Sequence, residues 1–259
     1  VKCLARHLPG VLARPLFGDR ERWGRTPIAD DPDWLTWERH SVELYESTQR
    51  DRRGGLVNDS GYRIMREIDL AGATVVEIGP GQLDHMRHWK GRPDRFVLLD
   101  RREEMLSASA ATLAREGVPS KSILLAGDSP LLPLPDACAD IVLSFYSLEH
   151  LHPLDSYLAE LQRILKPGGR LAGAIPAEGG LAWGLGRFLT TRREFRRSVG
   201  LDYDKVICWE HPNFADQVMN SLHRRFRPRH LSFWPLAVPV PDVNLIIRFI
   251  VEKRDPPAA

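Results

Sequence analysis

The chain has 259 residues, 43% of them hydrophobic and 27% charged, the size and balance of one globular domain with room for an added segment. Its 36 basic and 34 acidic side chains leave a formal net charge of +2, which excludes the global positive field that would hold a nucleic-acid backbone.

The opening apolar stretch is interrupted by Arg6, Pro9, Arg14 and Pro15 before a signal-peptide core of useful length develops. No later apolar run approaches the ~20 residues needed to span a bilayer. Cys3, Cys138 and Cys208 lack the paired spacing of a zinc site or a disulfide framework, so no metal is expected, and a soluble protein of the reducing cytoplasm is. Residues 1–70 read as an N-terminal helical cap: the aromatic, charged stretch Trp34–Arg50 predicts one or two helices over a sheet, and Gly54-Gly55 breaks the pattern.

From residue 71 onward, short aliphatic runs alternate with helical patterns, the signature of a parallel α/β sheet with helices on both faces. The expected strands are Ala73–Ile78, Arg95–Leu99, Ser122–Ala126, Ala139–Phe145, Arg170–Ile175, Arg229–Trp234 and Val243–Val251, seven in all. Between them, Arg101–Glu116 is rich in Ala, Glu and Leu and stops at Gly117, with Pro119 beyond. Leu154, Leu158, Leu161 and Leu165 recur at helical spacing, so Pro153–Lys166 is expected to lay an apolar face on the sheet and to stop at Pro167-Gly168-Gly169. Residues 177–212 read as an insertion forming an acceptor or lid segment, and the Pro-Pro-Ala-Ala tail as frayed.

The most informative stretch is Val75-Val76-Glu77-Ile78-Gly79-Pro80-Gly81, a buried strand running into a glycine turn. Such a turn lets a ligand approach bare backbone at the carboxyl end of a strand, where open α/β sheets bind ligands. A dinucleotide fold requires a third glycine three positions after Gly81, and Asp84 stands there instead. That carboxylate would oppose a pyrophosphate but suits a ligand bearing a sulfonium and an ammonium. The second strand ends at Asp100, able to accept from two ribose hydroxyls, and the third leads to Gly127-Asp128-Ser129, suited to an adenine edge.

With Ser147-Leu148-Glu149-His150-Leu151 after the fourth strand and Leu165-Lys166-Pro167-Gly168-Gly169-Arg170 before the fifth, the chain resembles the class I S-adenosylmethionine-dependent methyltransferases over roughly Ala71 to Pro176. The resemblance implies a Rossmann-like seven-stranded sheet with an antiparallel last strand, and S-adenosylmethionine as cofactor. It also implies that Gly79 and Gly81 contact the methionine part, Asp100 and its neighbour Arg101 the ribose side, and Asp128, Ser129 and Met105 the adenine. Glu77 either binds the cofactor's amino group or orders the glycine loop. Ser144, Phe145 and Tyr146 are expected to border the sulfonium, and the Phe-Tyr-Ser there, in place of a Pro-Pro-aromatic motif, counts against methylation of nucleic-acid bases.

Methyl transfer needs an oriented acceptor and, for a hydroxyl nucleophile, gains from a base at neutral pH. His211, within Cys208-Trp209-Glu210-His211-Pro212-Asn213, is the first candidate, against the reading of a helix-capping turn with a surface histidine. His150 is the second, either as base or as a brace of its loop. The stretch from Gly180 to Ser198 joins Trp183, Leu185, Phe188, Leu189 and Phe195 to five arginines, so the basic segment 183–197 serves either as a peripheral membrane or lipid-linked docking surface or as a core-facing helix with a solvated basic side. The expected acceptor is a small molecule or glycan precursor methylated at oxygen. The alternatives are carbon or nitrogen methylation of a quinone- or lipid-like compound, and a cofactor-binding protein without methyl transfer.

Overall fold

The computed structural model describes residues 1–40, 52–127 and 129–254. The second half of the expected Trp34–Arg50 helices, Asp128 and the Pro-Pro-Ala-Ala tail lie outside the described residues. In chain order, α1 (Gly10–Phe17), α2 (Arg20–Trp23) and α3 (helical over residues 32–40) precede α4 (Arg52–Tyr62). The sheet then begins: β1 (Thr74–Ile78), β2 (Arg95–Asp100), α5 (Glu103–Arg115), β3 (Ser120–Leu124), β4 (Ala139–Phe145), α6 (Leu154–Ile164) and β5 (Leu165–Pro176). Four helices follow, α7 (Leu181–Leu189), α8 (Thr191–Ser198), α9 (Tyr203–Glu210) and α10 (Ala215–Arg225), before β6 (Phe226–Trp234) and β7 (Ile246–Lys253).

The seven strands form one sheet in the order β3-β2-β1-β4-β5-β7-β6, with β7 antiparallel to both neighbours and the remaining pairs parallel. Because strand side chains alternate, each strand feeds two cores. Val76, Ile78, Val97, Leu99, Val142 and Leu171 pack on one face with α6 and α10. Val75, Phe96, Leu98, Ile141 and Leu143 pack on the other with α5 and the end of α4. The chain leaves β1 toward the β3 edge and returns at β4, so the strand order reverses between β1 and β4. That switch point opens a crevice at the carboxyl ends of the strands.

Three expectations need correction. Gly54-Gly55 does not break the chain but lies inside α4, because the distal end of that helix docks on β5 and β7 and this packing outweighs about 1 kcal/mol of lost propensity per glycine. The helix before β5 stops at Ile164, and Leu165 already pairs with Ala139, so Pro167-Gly168-Gly169 sits within the strand beside a register shift. The last strand starts at Ile246, after a 3-10 turn over Pro241–Val243.

The N-terminal residues pack mainly on the region between β5 and β7. Leu4 and Ala5 backbone N–H groups donate to Asp242, Cys3 N–H donates to Asp216, and Phe17 stands edge-on to Phe214.

Candidate active site

At the end of β1 the backbone turns through Gly79 at φ +68° and Gly81 at φ +57°, a left-handed region that side chains with a Cβ resist. A Cβ on Gly79 would lie 2.6 Å from Ser147 Oγ. The Ser147 hydroxyl lies 2.9 Å from the Ile78 carbonyl and 3.1 Å from that of Phe145, tying the ends of β1 and β4 together. Ser109 on α5 donates to the Gly81 carbonyl at 2.7 Å and fixes the far side of the loop. Asp100 closes β2 with its carboxylate accepting from Arg102 N–H at 2.9 Å, and burial pushes its pKa upward. Arg101 is exposed, Met105 is buried on α5, and Ser129 is exposed with its hydroxyl accepting from Leu131 N–H.

The side chains at the end of β4 belong to the core. Ser144 is fully buried and its hydroxyl has no hydrogen-bond partner, while Phe145 stacks on His85 at 4.9 Å and meets Tyr62 edge-on at 5.2 Å. Tyr146 adopts φ +54° and donates its hydroxyl to the Asn58 carbonyl at 2.8 Å. Both oxygens of buried Glu77 accept from His85 Nε2, at 3.0 and 3.1 Å, and His85 Nδ1 accepts from Trp89 at 2.9 Å. Burial raises the Glu77 pKa, against the opposing pull of His85. His85 was not singled out by sequence, although its place eight residues after a buried acid was a visible signal.

On the other side of the crevice the structure brings together residues far apart in the chain. Glu149 and His150 follow β4, Glu178 follows β5, and His211 ends α9. The His150 and His211 rings stand 4.6 Å apart at 86°. His211 Nδ1 makes a short hydrogen bond to Glu178 Oε2, and His150 Nδ1 lies 2.7 Å from the Glu210 carbonyl. Glu178 is anchored from behind by Arg20 of α2 at 3.0 Å, and Glu210 accepts from Trp37 of α3 at 2.6 Å. Asn213 braces the turn by donating to the carbonyls of Leu148, Glu149 and Leu151.

The charges follow from this packing. Burial disfavours the His211 cation, but the charge and hydrogen bond of Glu178 outweigh it and raise the pKa to about 9. His150, although its side chain is 36% exposed, is lowered to about 4 by desolvation within the protein and by the charge of His211. Burial lifts Glu149 to about 7. At neutral pH His211 therefore keeps a second proton and His150 does not.

Comparison with known proteins adds the decisive observation. Residues 76–173, spanning the glycine loop to the middle of β5, match the family described as "Methyltransferase domain". The chain carries a stretch similar to a methyltransferase domain, on a seven-stranded Rossmann-like methyltransferase fold. It is 29% identical over 136 residues to the ubiquinone/menaquinone biosynthesis C-methyltransferase UbiE of Shewanella frigidimarina, covering 52% of this chain and 46% of that protein. It is 32% identical over 133 residues to the malonyl-[acyl-carrier protein] O-methyltransferase of Pectobacterium atrosepticum, covering 51% and 50%. The chain thus spans about half the length of the curated relatives it matches. In fold it is similar to an S-adenosylmethionine-dependent methyltransferase from Mesorhizobium loti, with a TM-score of 0.52 at 18% identity over 76% of this chain and all of that one.

S-adenosylmethionine is the cofactor that the similarity to methyltransferases implies, and the residues present fit it. The loop turns through left-handed φ at Gly79 and Gly81 and so presents bare backbone at the end of β1, and a carboxylate stands at the end of β2. A cavity of about 920 Å³ lies elsewhere, between α5 and the turn after the glycine loop, lined by Gln82, Met86, Trp89, Arg92, Thr112 and Arg115, and its lining includes neither Asp100 nor the histidines. Glu178 and Arg20, like His85, were not singled out by sequence. Glu178, two residues beyond β5 at the carboxyl edge of the sheet, carried a positional signal, whereas Arg20 carried none.

Proposed function

We propose that the chain methylates an oxygen of a small molecule or glycan precursor, held in front of His150 and His211. The observation that supports this reading is the pair of imidazoles that meet in the crevice, His211 at the end of α9 braced by the buried Glu178 carboxylate and His150 after β4 braced by a backbone carbonyl. Bound S-adenosylmethionine supplies an already activated methyl group, so the protein's part is to orient the acceptor and accept its proton. Because Glu178 holds His211 as the cation at neutral pH, the base role falls to the neutral His150, and His211 orients the acceptor as a donor. In this reading Gly79 and Gly81 face the methionine part, Asp100 and Arg101 the ribose, and Met105, Asp128 and Ser129 the adenine. The backbone at Ser144 and Phe145 borders the sulfonium, while Glu77 acts from beneath the loop through His85.

A second reading is carbon methylation of a quinone- or lipid-like acceptor, in line with the name of the UbiE relative. It is supported by α7, which leaves Leu181, Leu185 and Leu189 between 40% and 52% exposed, beside the exposed Arg193, Arg196 and Arg197 of α8. An apolar stripe flanked by arginines suits a membrane surface or a lipid-linked substrate. No helix among the described residues is long and apolar enough to cross a membrane. Three unpaired cysteines support a reducing compartment, which we take to be the cytoplasm.

A methyl-transfer screen with labelled cofactor across sugar nucleotides, phenols, quinones and lipids tests the proposal. The expected result is transfer to a hydroxyl, with His150→Ala lowering turnover by about 100- to 10,000-fold and His211→Ala lowering it through lost orientation of the acceptor, each at little cost in cofactor affinity. Transfer to a quinone carbon would select the second reading. Cofactor binding with no transfer to any acceptor would point to a protein that binds S-adenosylmethionine without methylating.

A further inference from the structure

Glu149, His150 and His211 meet with one potential ligand atom from each within 4.8 Å of the others. Each imidazole shows the arrangement that metal-ligating histidines use: one ring nitrogen engaged by an oxygen, the other left for a cation. His211 Nδ1 bonds Glu178 and His150 Nδ1 bonds the Glu210 carbonyl, and neither Nε2 has a protein partner among the described residues. The third group provides an independent sign. Glu149 is 2% exposed, and its Oε2 is buried without a hydrogen-bond partner, a costly state for a carboxylate.

From this geometry we infer that Glu149, His150 and His211 bind a divalent transition-metal ion. Two imidazoles and one carboxylate match zinc, manganese, iron(II) or cobalt(II), whereas magnesium and calcium favour shells of oxygen. Ligand bonds of about 2.0–2.2 Å in tetrahedral geometry hold donor atoms about 3.3–3.6 Å apart, so donors that already lie within 4.8 Å of one another need close by no more than about 1.5 Å around a cation. Three protein ligands leave coordination positions open toward the crevice, where an acceptor oxygen would be held and polarised. The binding site stands without the methyl-transfer reading; only its role toward an acceptor rests on it. In the loaded protein the two histidines serve as ligands in place of acting as base and donor. Sensitivity of turnover to a chelator therefore separates the two roles.

The test is titration of the tag-free, metal-stripped full chain with cobalt(II), followed by its visible d–d absorption and by calorimetry, without cofactor or acceptor. The expected result is one cobalt per chain, displaced by zinc. Glu149→Gln, a near-isosteric change that keeps the fold, and His150→Ala should each weaken binding at least about 100-fold, and His7→Ala, an exposed histidine outside the cluster, should leave it unchanged. Circular dichroism confirms that each variant is folded. Wild-type binding no tighter than about 1 mM, or binding that Glu149→Gln leaves intact, would overturn the inference.

Discussion

Replacing Arg20 by methionine removes the cation that sits behind Glu178 while keeping most of the apolar stem. The Arg20 and Glu178 side chains are only 8% and 2% exposed and lie 3.0 Å apart. The same guanidinium also donates to the His211 carbonyl at 2.6 Å and lies 3.9 Å from the centre of the Phe214 ring. Breaking a buried ion pair from one side typically costs about 3–5 kcal/mol, because the carboxylate left behind has lost its water and the cation at its back, and here keeps only His211. A desolvated cation over an aromatic ring adds up to about 2 kcal/mol, partly counted already in that range. The expected loss for Arg20→Met is therefore about 3–5 kcal/mol, measured by urea unfolding of the full chain followed by circular dichroism. The double variant Arg20→Met/Glu178→Gln, in which both charges are gone and the amide oxygen still accepts from His211, should regain more than about 1 kcal/mol over Arg20→Met. A loss under about 1 kcal/mol in the single variant, or a double variant no more stable than it, would refute the view that this pair anchors the acceptor side of the crevice.

Three further outcomes are expected. Asp100→Ala should weaken S-adenosylmethionine binding by about 3 kcal/mol or more in calorimetry, with the fold intact, since charge-assisted bonds are typically worth about 1.5–3 kcal/mol each; unchanged affinity would move the ribose contact elsewhere. Gly79→Ala meets both φ +68° and Ser147 Oγ at 2.6 Å, so cofactor affinity and stability should both fall, the backbone strain alone contributing about 1–2 kcal/mol, and wild-type affinity would remove this loop from the cofactor site. Burial pushes the thiol of Cys3 to about 12 and that of Cys208 to about 11, from an ordinary value of 9.0. A thiol raised on folding contributes its stability below the unfolded value and loses it as pH rises above it. Alkylation at pH 8 should thus be slow until urea is added, and stability should decline above about pH 9, with the decline flattened in Cys3→Ala/Cys208→Ala.

What the sequence made legible was local. A strand running into Gly79-Pro80-Gly81, an acid closing the next strand and the Leu-Lys-Pro-Gly-Gly run are decided by neighbours a few residues away, and so the sheet and its glycine loop can be read directly. Element ends were less legible because tertiary pairing sets them: Leu165 joins Ala139, and α4 continues through Gly54-Gly55 because its distal end has a sheet to rest on. The acceptor side was the least legible. His150 and His211 were each visible, but nothing in their spacing announced that the rings would touch. Nor did it announce that Arg20 would reach across the chain to the carboxylate behind them.

The indole of Trp89 donates to His85, which in turn holds Glu77 beneath the glycine loop, while the indole of Trp37 donates to Glu210 beside the histidines. These bonds connect the two halves of the crevice to different chromophores. An indole whose N–H bond shortens, lengthens or exchanges partners changes its emission, so the pair forms a built-in optical readout. In variants retaining only Trp89 or only Trp37, fluorescence would follow events at the glycine loop and at the histidine cluster separately, letting the order in which the two ligands of the proposed reaction arrive be timed without a label.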